Sequence, residues 1–278
     1  MDQYGLIGNP VKQSKSPLIY RLFAEETAQV IEYSPVLVAM DAFEEVLGSL
    51  KNEKWKGVNI TLPFKHRAFN LMDTLSERAQ HAEAINTIIM GEDGLLHGDN
   101  TDGVGLVRDL LINLKFSIEG KRVLILGAGG AVRGVIGPVL QENPSEVIIS
   151  NRTESKSVAL AEAFAEQGRI QACELSLLEI ASFDLVINGT SASLQDEMLD
   201  LPGSILKPGA MCYDMVYGRG VTPFLRWAME QDAEFCVDGL GMLVEQAAES
   251  FYLWRQVKPN TQRALALIKQ MLAPAEVV

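Results

Sequence analysis

The sequence predicts a two-domain α/β protein whose sheets are largely parallel. Short Val- and Ile-rich runs alternate with amphipathic stretches through most of the chain, the pattern of strand–helix units around a parallel sheet. A hairpin signal interrupts that alternation once, within the first hundred residues, so one sheet is expected to be mixed. The length of 278 residues is enough for two domains at about 150 residues each.

The elements follow in order. Apolar runs place strands at residues 4–8, 31–38 and 57–60. Pro17 and Pro63 each stand where a helix can begin, since proline at the first helical position gives up no useful N–H. Phe64, Ala68, Leu71 and Met72 then form the buried stripe of the second of these helices. Residues 86–90, the turn Glu92-Asp93-Gly94, and Leu95-Leu96 read as the hairpin. A polar, glycine-bearing stretch at 98–103 marks the boundary, followed by a helix from about 104 to 113. Further strands fall at 122–126, 146–150, 184–188 and 211–214. Leu240, Leu243, Val244, Ala247, Phe251 and Trp254 make the stripe of a late helix.

Composition excludes several classes of function. The net charge of −12 disfavours nucleic acid and anionic membrane as partners, because phosphates and headgroups attract cations. A hydrophobic share of 47% and a mean hydropathy of +0.10 describe a folding chain, not a disordered one. The opening Met1-Asp2-Gln3 has no signal-peptide pattern, and Arg133 interrupts the longest apolar stretch, so a cytoplasmic protein is expected. Cys173, Cys212 and Cys236 are too few and too far apart for a disulfide framework. His66, His81 and His97 are likewise too scattered for a zinc site.

Gly127, Gly129, Gly130, Gly134 and Gly137 follow the strand at 122–126 directly and open a helix. A dinucleotide needs that arrangement: a tight turn, close backbone approach to pyrophosphate, and free N–H groups at a helix start. The plain alternative is a loop used only for tight packing. Val132 occupies the third fingerprint position, where its β-branch is expected to hold helix and strand slightly apart. The next strand ends Ser150-Asn151-Arg152-Thr153, with Lys156 one turn on. Arg152 can stack on adenine and grip a 2′-phosphate, with Lys156 as a second cation, which favours NADP. Glu154 keeps an NAD reading open, and Asn151 and Thr153 can instead simply cap the following helix.

Several polar groups in the first hundred residues have no evident structural task. Ser14 and Ser16 flank a helix start, where two hydroxyls and helix N–H groups seat a carboxylate and where either hydroxyl can also be an ordinary N-cap. Lys65 falls in the first turn of a helix, beside the positive end of the macrodipole, a field that suits a proton-transfer group better than a permanent cation. Asp102 precedes a helix that it can cap, and near Lys65 it would hold the amine and help move a proton. Gln246 lies about 110° around from the late helix's stripe, at its flank, where it either reaches a cleft or is simply solvated.

Taken together these segments resemble the shikimate dehydrogenase family. The match runs in order over nearly the whole chain: Gly8-Asn9-Pro10 with Ser14-Lys15-Ser16-Pro17, Asn59-Ile60-Thr61-Leu62-Pro63-Phe64-Lys65, Ile85-Asn86-Thr87, Asn100-Thr101-Asp102-Gly103, the glycine turn, Asn151-Arg152-Thr153, Asn188-Gly189-Thr190-Ser191, Tyr213-Asp214-Met215-Val216-Tyr217 and Asp238-Gly239-Leu240-Gly241-Met242-Leu243. The resemblance implies an N-terminal α/β substrate domain with a mixed sheet and a Rossmann-type NADP-binding domain, with the active site in the cleft between them. It implies an NADP-dependent oxidoreductase interconverting shikimate and 3-dehydroshikimate. Ser14 and Ser16 would then hold the substrate carboxylate, and Asn59, Thr61, Asn86, Asp102, Tyr217 and Gln246 the ring hydroxyls. Lys65 and Asp102 would be the acid/base pair. Gly127, Ala128, Gly129, Gly130 and Ala131, with Asn151, Arg152, Thr153, Glu154, Ser155 and Lys156, would hold the phosphates and adenosine, while Thr190, Met215 and Gly239 complete the cofactor side and Glu77 lies near it. Glu83 and Ile85 stand where the family often has Gly and Val.

The helices from Gly239 onward are expected to return to the first lobe, giving a substrate domain of residues 1–102 and 239–278 and a cofactor domain of 103–238. A quinate/shikimate dehydrogenase using NAD or NADP, and a non-catalytic NADP-binding sensor, are the alternatives, the second disfavoured by the intact polyol-type site. Monomer and homodimer are both compatible with the sequence.

Overall fold

The computed structural model describes residues 1–272 except 196 and 219. The first part of the chain forms β1 (Asp2–Gly8), α1 (Ser16–Glu26), β2 (Ile31–Leu37), α2 (Phe43–Asn52), β3 (Gly57–Ile60), α3 (Lys65–Phe69), β4 (Thr74–Leu75), α4 (Glu77–Ala82), β5 (Thr87–Met90) and β6 (Leu96–Asp99). These strands make one sheet in the order β2-β1-β3-β5-β6-β4. β1 pairs in parallel with β2 and β3, and β5 runs antiparallel to both β3 and β6. The mixed character therefore comes from the hairpin, whose turn closes with Gly91 N–H donating to Leu95 O at 2.9 Å.

The chain then passes through α5 (Asp102–Arg108), which continues as a π-helical turn at Asp109–Asn113. A second sheet follows, built from β7 (Arg122–Leu126), α6 (Gly130–Gln141), β8 (Glu146–Ser150), α7 (Glu154–Phe164), β9 (Ile170–Ala172), β10 (Phe183–Asn188), β11 (Leu206–Asp214), α8 (Pro223–Glu230) and β12 (Phe235–Asp238). Its order is β12-β11-β10-β7-β8-β9, all parallel. Read from the β9 edge, this is the doubly wound order of the Rossmann fold, with its switch point between β7 and β10. Ligands of such sheets bind at the carboxyl ends of the strands flanking that point, here Leu126 and Asn188. α9 (Leu240–Arg255) and α10 (Thr261–Leu272) end the described chain.

Burial explains the elements. Val123 and Ile125 face one core with Val135, Val139 and Leu185, while Leu124 and Leu126 face another with Val186 and Phe224. Strands covered on both faces need continuous apolar runs, which is what makes them readable. In the first sheet, Ile7, Val58 and Ile60 pack under Phe43, Leu47 and Phe64. Ile19, Tyr20 and Phe23 of α1 pack with Val244, Ala247 and Phe251 of α9 and with Leu265 and Ile268 of α10.

The structure corrects several local expectations. Pro63 does not start its helix: Phe64 N–H bonds back to Thr61 O at 3.0 Å in a turn, and helical geometry begins only at Lys65. Pro17 sits second in α1, after Ser16, and the N-cap residue is Lys15. The expected helix at 104–113 is α-helical only to Arg108. β4, β9 and β12 have no counterpart among the expected strands. They are two, three and four residues long and lie at sheet edges, too short and too exposed to carry a pattern.

Candidate active site

Lys65, the first residue of α3, and Asp102, the first of α5, form an ion pair between Nζ and Oδ2, with side chains only 15% and 7% exposed. Asp102 is not the helix cap: it is the first helical residue of α5, and its own N–H donates to Asn100 Oδ1 at 3.1 Å. α3 is only five residues long, so the field invoked for Lys65 is that of one turn, and the Asp102 carboxylate is the dominant charge at its amine. Removing one member of a buried pair leaves the other uncompensated, at a cost of about 3–5 kcal/mol.

Asn86 orders this pair. Its Nδ2 donates to Asp102 Oδ1 at 2.8 Å, to Thr101 Oγ1 at 2.9 Å and to Gln246 Oε1 at 3.1 Å. Its Oδ1 accepts from Thr101 N–H and from Thr87 Oγ1, both at 2.9 Å. The amide can therefore adopt one orientation only. Gln246 is neither solvated nor idle: its Nε2 donates to Leu243 O at 2.9 Å and its oxygen faces Asn86. Asn59 is engaged on all sides, donating to Asn86 O, Thr87 Oγ1 and Ser250 Oγ and accepting from the Tyr33 hydroxyl at 2.8 Å. Below this layer Arg78 grips Asp99 bidentately at 2.6 and 2.8 Å and also meets Glu249, which pairs with Arg108 at 2.7 Å. That ionic net ties β6, α4, α9 and α5 at the root of the segment carrying Asp102.

The remaining substrate-side candidates lie at the start of α1. Ser14 Oγ accepts from Ser16 N–H at 3.2 Å and lies 3.1 Å from Ser16 Oγ. Ser14, not Ser16, thus satisfies a backbone donor there. Tyr217, from the segment after β11, packs on the α1/α9 core. Burial raises the Tyr217 phenol above its usual range, an effect that the neighbouring Lys15 backbone partly offsets. Thr61 sits in the turn between β3 and α3, its N–H donating to Ile7 O at 3.0 Å.

On the other sheet the glycine turn sits at the switch point. Gly127 has φ +106° and donates its N–H to Ser150 O at 2.8 Å. A Cβ there would lie 3.2 Å from the Gly189 carbonyl, so both the conformation and the approach call for glycine. Gly129 caps α6, and a Cβ built on it meets nothing within 4 Å. Ala128 and Ala131 flank it. The first-turn N–H groups of a twelve-residue helix thus begin beside open space, which fits a pyrophosphate. Val132 is fully buried, and its bulk is taken up over Gly189, where a Cβ would come within 2.4 Å of Val132 Cγ2. The β-branch occupies space left by the missing side chain of Gly189.

At the end of β8, Arg152, Thr153, Glu154, Ser155 and Lys156 are all exposed. Thr153 is the N-cap residue of α7 but makes no side-chain cap, and Asn151 Nδ2 donates to Thr153 O at 2.9 Å. Capping therefore does not account for either side chain. Thr190 donates N–H and Oγ1 to Asn188 Oδ1 at 3.2 and 2.8 Å. Met215 N–H donates to Asn188 O at 2.9 Å, and a Cβ on Gly239 would meet Met215 O at 2.3 Å. Glu77 lines, with Arg133 and Gln141 of α6, a cavity of about 360 Å³ between α4 and α6. Glu83 has φ +47°, where glycine is favoured, and its carboxylate meets Arg133 at 2.7 Å.

Sequence reasoning assigns no role to Thr87, Ser250 and Tyr33, which orient the two asparagines, and includes Thr101 only as part of a motif. Ser250 alone leaves a signal, since it lies four residues after Gln246 on one helical face.

Three family models match consecutive parts of the chain: the shikimate dehydrogenase substrate binding domain over residues 6–88, shikimate / quinate 5-dehydrogenase over 110–198, and the shikimate 5′-dehydrogenase C-terminal domain over 239–269. The shikimate dehydrogenase (NADP(+)) of Cellvibrio japonicus (strain Ueda107) is 49% identical over 271 residues, 98% of each chain. Among solved structures, an Ael1 enzyme from Pseudomonas putida is similar with a TM-score of 0.90 and 45% identity, over 96% of this chain and 98% of that one. The shikimate 5-dehydrogenase of Thermus thermophilus, solved in complex with NADP(H) and shikimate, is similar with a TM-score of 0.84 and 31% identity, over 97% and 99%.

The Val132–Gly189 contact yields a prediction. Gly189→Ala should lower stability by about 1–3 kcal/mol through overpacking. Adding Val132→Ala should recover most of that loss, as read from denaturation midpoints. Additive losses would show that the two positions are not in contact.

Proposed function

The chain belongs to the shikimate dehydrogenase family, and we propose that it interconverts shikimate and 3-dehydroshikimate with NADP. The observation that carries this reading is the buried Lys65–Asp102–Asn86–Gln246 cluster, which offers an amine, a carboxylate and two amides, the complement a ring of vicinal hydroxyls requires. The cofactor supplies the hydride chemistry when bound. The protein's part is to seat the substrate, orient the hydroxyl to be oxidised, and manage its proton.

In this reading Ser14 and Ser16, with the N–H groups at the start of α1, receive the substrate carboxylate. Thr61, Asn86, Tyr217 and Gln246 take ring hydroxyls, and Asn59 holds the floor against which they are ordered. Lys65 Nζ gives a proton to the substrate oxygen as it becomes an alcohol, and takes it back in the reverse direction. Asp102 fixes that amine in place. Residues 127–131 and 151–156, with Thr190, Met215 and Gly239, form the cofactor side, and Arg152 and Lys156 are the groups that would meet a 2′-phosphate. Residues 1–102 and 239–278 serve as the substrate domain and 103–238 as the cofactor domain. Cys173, Cys212 and Cys236 are free thiols, which suits the reducing cytoplasm.

The direct test is absorbance at the NADPH band on adding shikimate and NADP to the purified protein. Lys65→Ala should lower kcat by about 10²–10⁴-fold, the usual worth of a positioned acid/base group. An unchanged kcat with a raised KM for shikimate would instead make Lys65 a substrate clamp. Arg152→Ala should raise KM for NADP about 10–100-fold and KM for NAD far less, as loss of charge-assisted bonds to the 2′-phosphate predicts. An unaltered KM for NADP would remove Arg152 from the cofactor site.

A further inference from the structure

Tyr213 and Asp109 touch neither proposed ligand, yet they occupy the point where the two halves of the site meet. Tyr213 is fully buried near the end of β11, on the same face as Met215 two residues on. Its hydroxyl donates to Asp109 Oδ2 at 2.7 Å and accepts from Met242 N–H at 3.3 Å. Met242 is the third residue of α9, so that N–H has no partner within its own helix and Tyr213 satisfies it from a neighbouring strand. Asp109 opens the π-helical turn that ends α5, and Asn113 Nδ2 donates to its other oxygen at 2.9 Å. The carboxylate lies so close to α9 that a Cβ on Gly241 would fall 1.9 Å from Asp109 Oδ1.

Three elements are thereby tied at one hydroxyl. β11 delivers Met215 to the cofactor side. α5 begins with Asp102. α9 begins next to Gly239 and carries Gln246. α5 and α9 are also the segments by which the chain leaves the first sheet and returns to pack on it. A phenylalanine at 213 would fill the same apolar space, and a buried phenol and carboxylate contribute nothing to sheet formation that an apolar pair would not. Burial and the Asp109 carboxylate push the Tyr213 phenol well above its usual range, so it stays a hydrogen-bond donor at any working pH. Hydride transfer, by contrast, is sensitive to registration, since reacting atoms must be held about 3–3.5 Å apart. π-turns inside helices also concentrate at functional sites.

We propose that Tyr213 is a positioning residue for hydride transfer: by bonding Asp109 and Met242 N–H it holds the cofactor-bearing strand β11 in register with the helices that carry Asp102 and Gln246. The proposal rests on the dehydrogenase reading given above. Its test is Tyr213→Phe in the full-length enzyme, with Asp109→Leu, which removes the acceptor at similar size, and the double variant beside it. The readouts are kcat, KM for both ligands, melting temperature, and the primary isotope effect with shikimate deuterated at the carbon that is oxidised. Tyr213→Phe should lower kcat about tenfold with both KM values within about twofold, and should raise the isotope effect as hydride transfer becomes slower. The double variant should be no worse than the poorer single one, because both remove one tie. A lower melting temperature with wild-type kcat and isotope effect would overturn the proposal and leave Tyr213 merely structural, as would a change confined to one KM. Wild-type turnover in the same assay separates the two layers: without it the dehydrogenase reading falls and the proposal with it, whereas with it an unaltered Tyr213→Phe sinks the positioning role alone.

Discussion

The arrangement depends on burying a lysine beside an aspartate. Withdrawing two charges from water costs several kcal/mol each, and their attraction offsets this only when the remaining lone pairs are satisfied and the geometry is fixed. Lys65 and Asp102 come from different helices, and Asp102 is held on its free side by Asn86. Asn86 is in turn held by Thr87, Thr101 and Gln246. Satisfying one ion pair thus requires α3, the segment before β5, α5 and α9 to converge. The same residues that make the pair tolerable define the walls of a site able to recognise hydroxyls.

The acidity of the whole chain says little about that site. A net charge of −12 would oppose an anionic cofactor and an anionic acid if it were spread evenly through the cleft. In the proposed reading the groups at the cofactor side are instead the start of α6, an exposed Arg152 and an exposed Lys156. At the substrate side of that reading they are two serines at the start of α1 and a lysine already matched by its aspartate. Buried carboxylates such as Asp99 and Glu249 are matched by Arg78 and Arg108. Most of the charge excess lies on the surface, Asp109, Asp214 and Glu245 being buried and held by neutral donors, and in the proposed reading recognition of anions is local.

Much of this is legible in the chain, for reasons that can be named. Strands β7, β8 and β10 are buried on both faces and announce themselves as apolar runs, and the glycine turn is constrained by backbone geometry that few other residues allow. The site candidates Lys65, Asp102 and Gln246 stand out as polar groups without structural employment, Asn86 enters through the family resemblance, and the folded chain brings the four into one cluster. What sequence does not show is how polar groups choose partners across long separations. Ser250 meets Asn59 and Thr87, more than 160 positions away, and no local pattern encodes that. Val132 looks like a misfit in the sequence because its complement, the bare Gly189, belongs to a different strand end. Edge strands β9 and β12 escape notice there because segments of three and four residues, only half-buried, are too short for alternation or an apolar run to stand out from the surrounding sequence.

In the proposed mechanism the charge of Asp102, and not merely its shape, sustains proton transfer by Lys65. Asp102→Asn preserves size and hydrogen-bonding reach while removing the charge, so steady-state oxidation of shikimate by this variant, followed at the NADPH band, tests the claim most directly. The account predicts that kcat falls by about 10²-fold or more, the scale of acid/base catalysis, with KM for NADP unchanged. A kcat within about twofold of the wild type would contradict it.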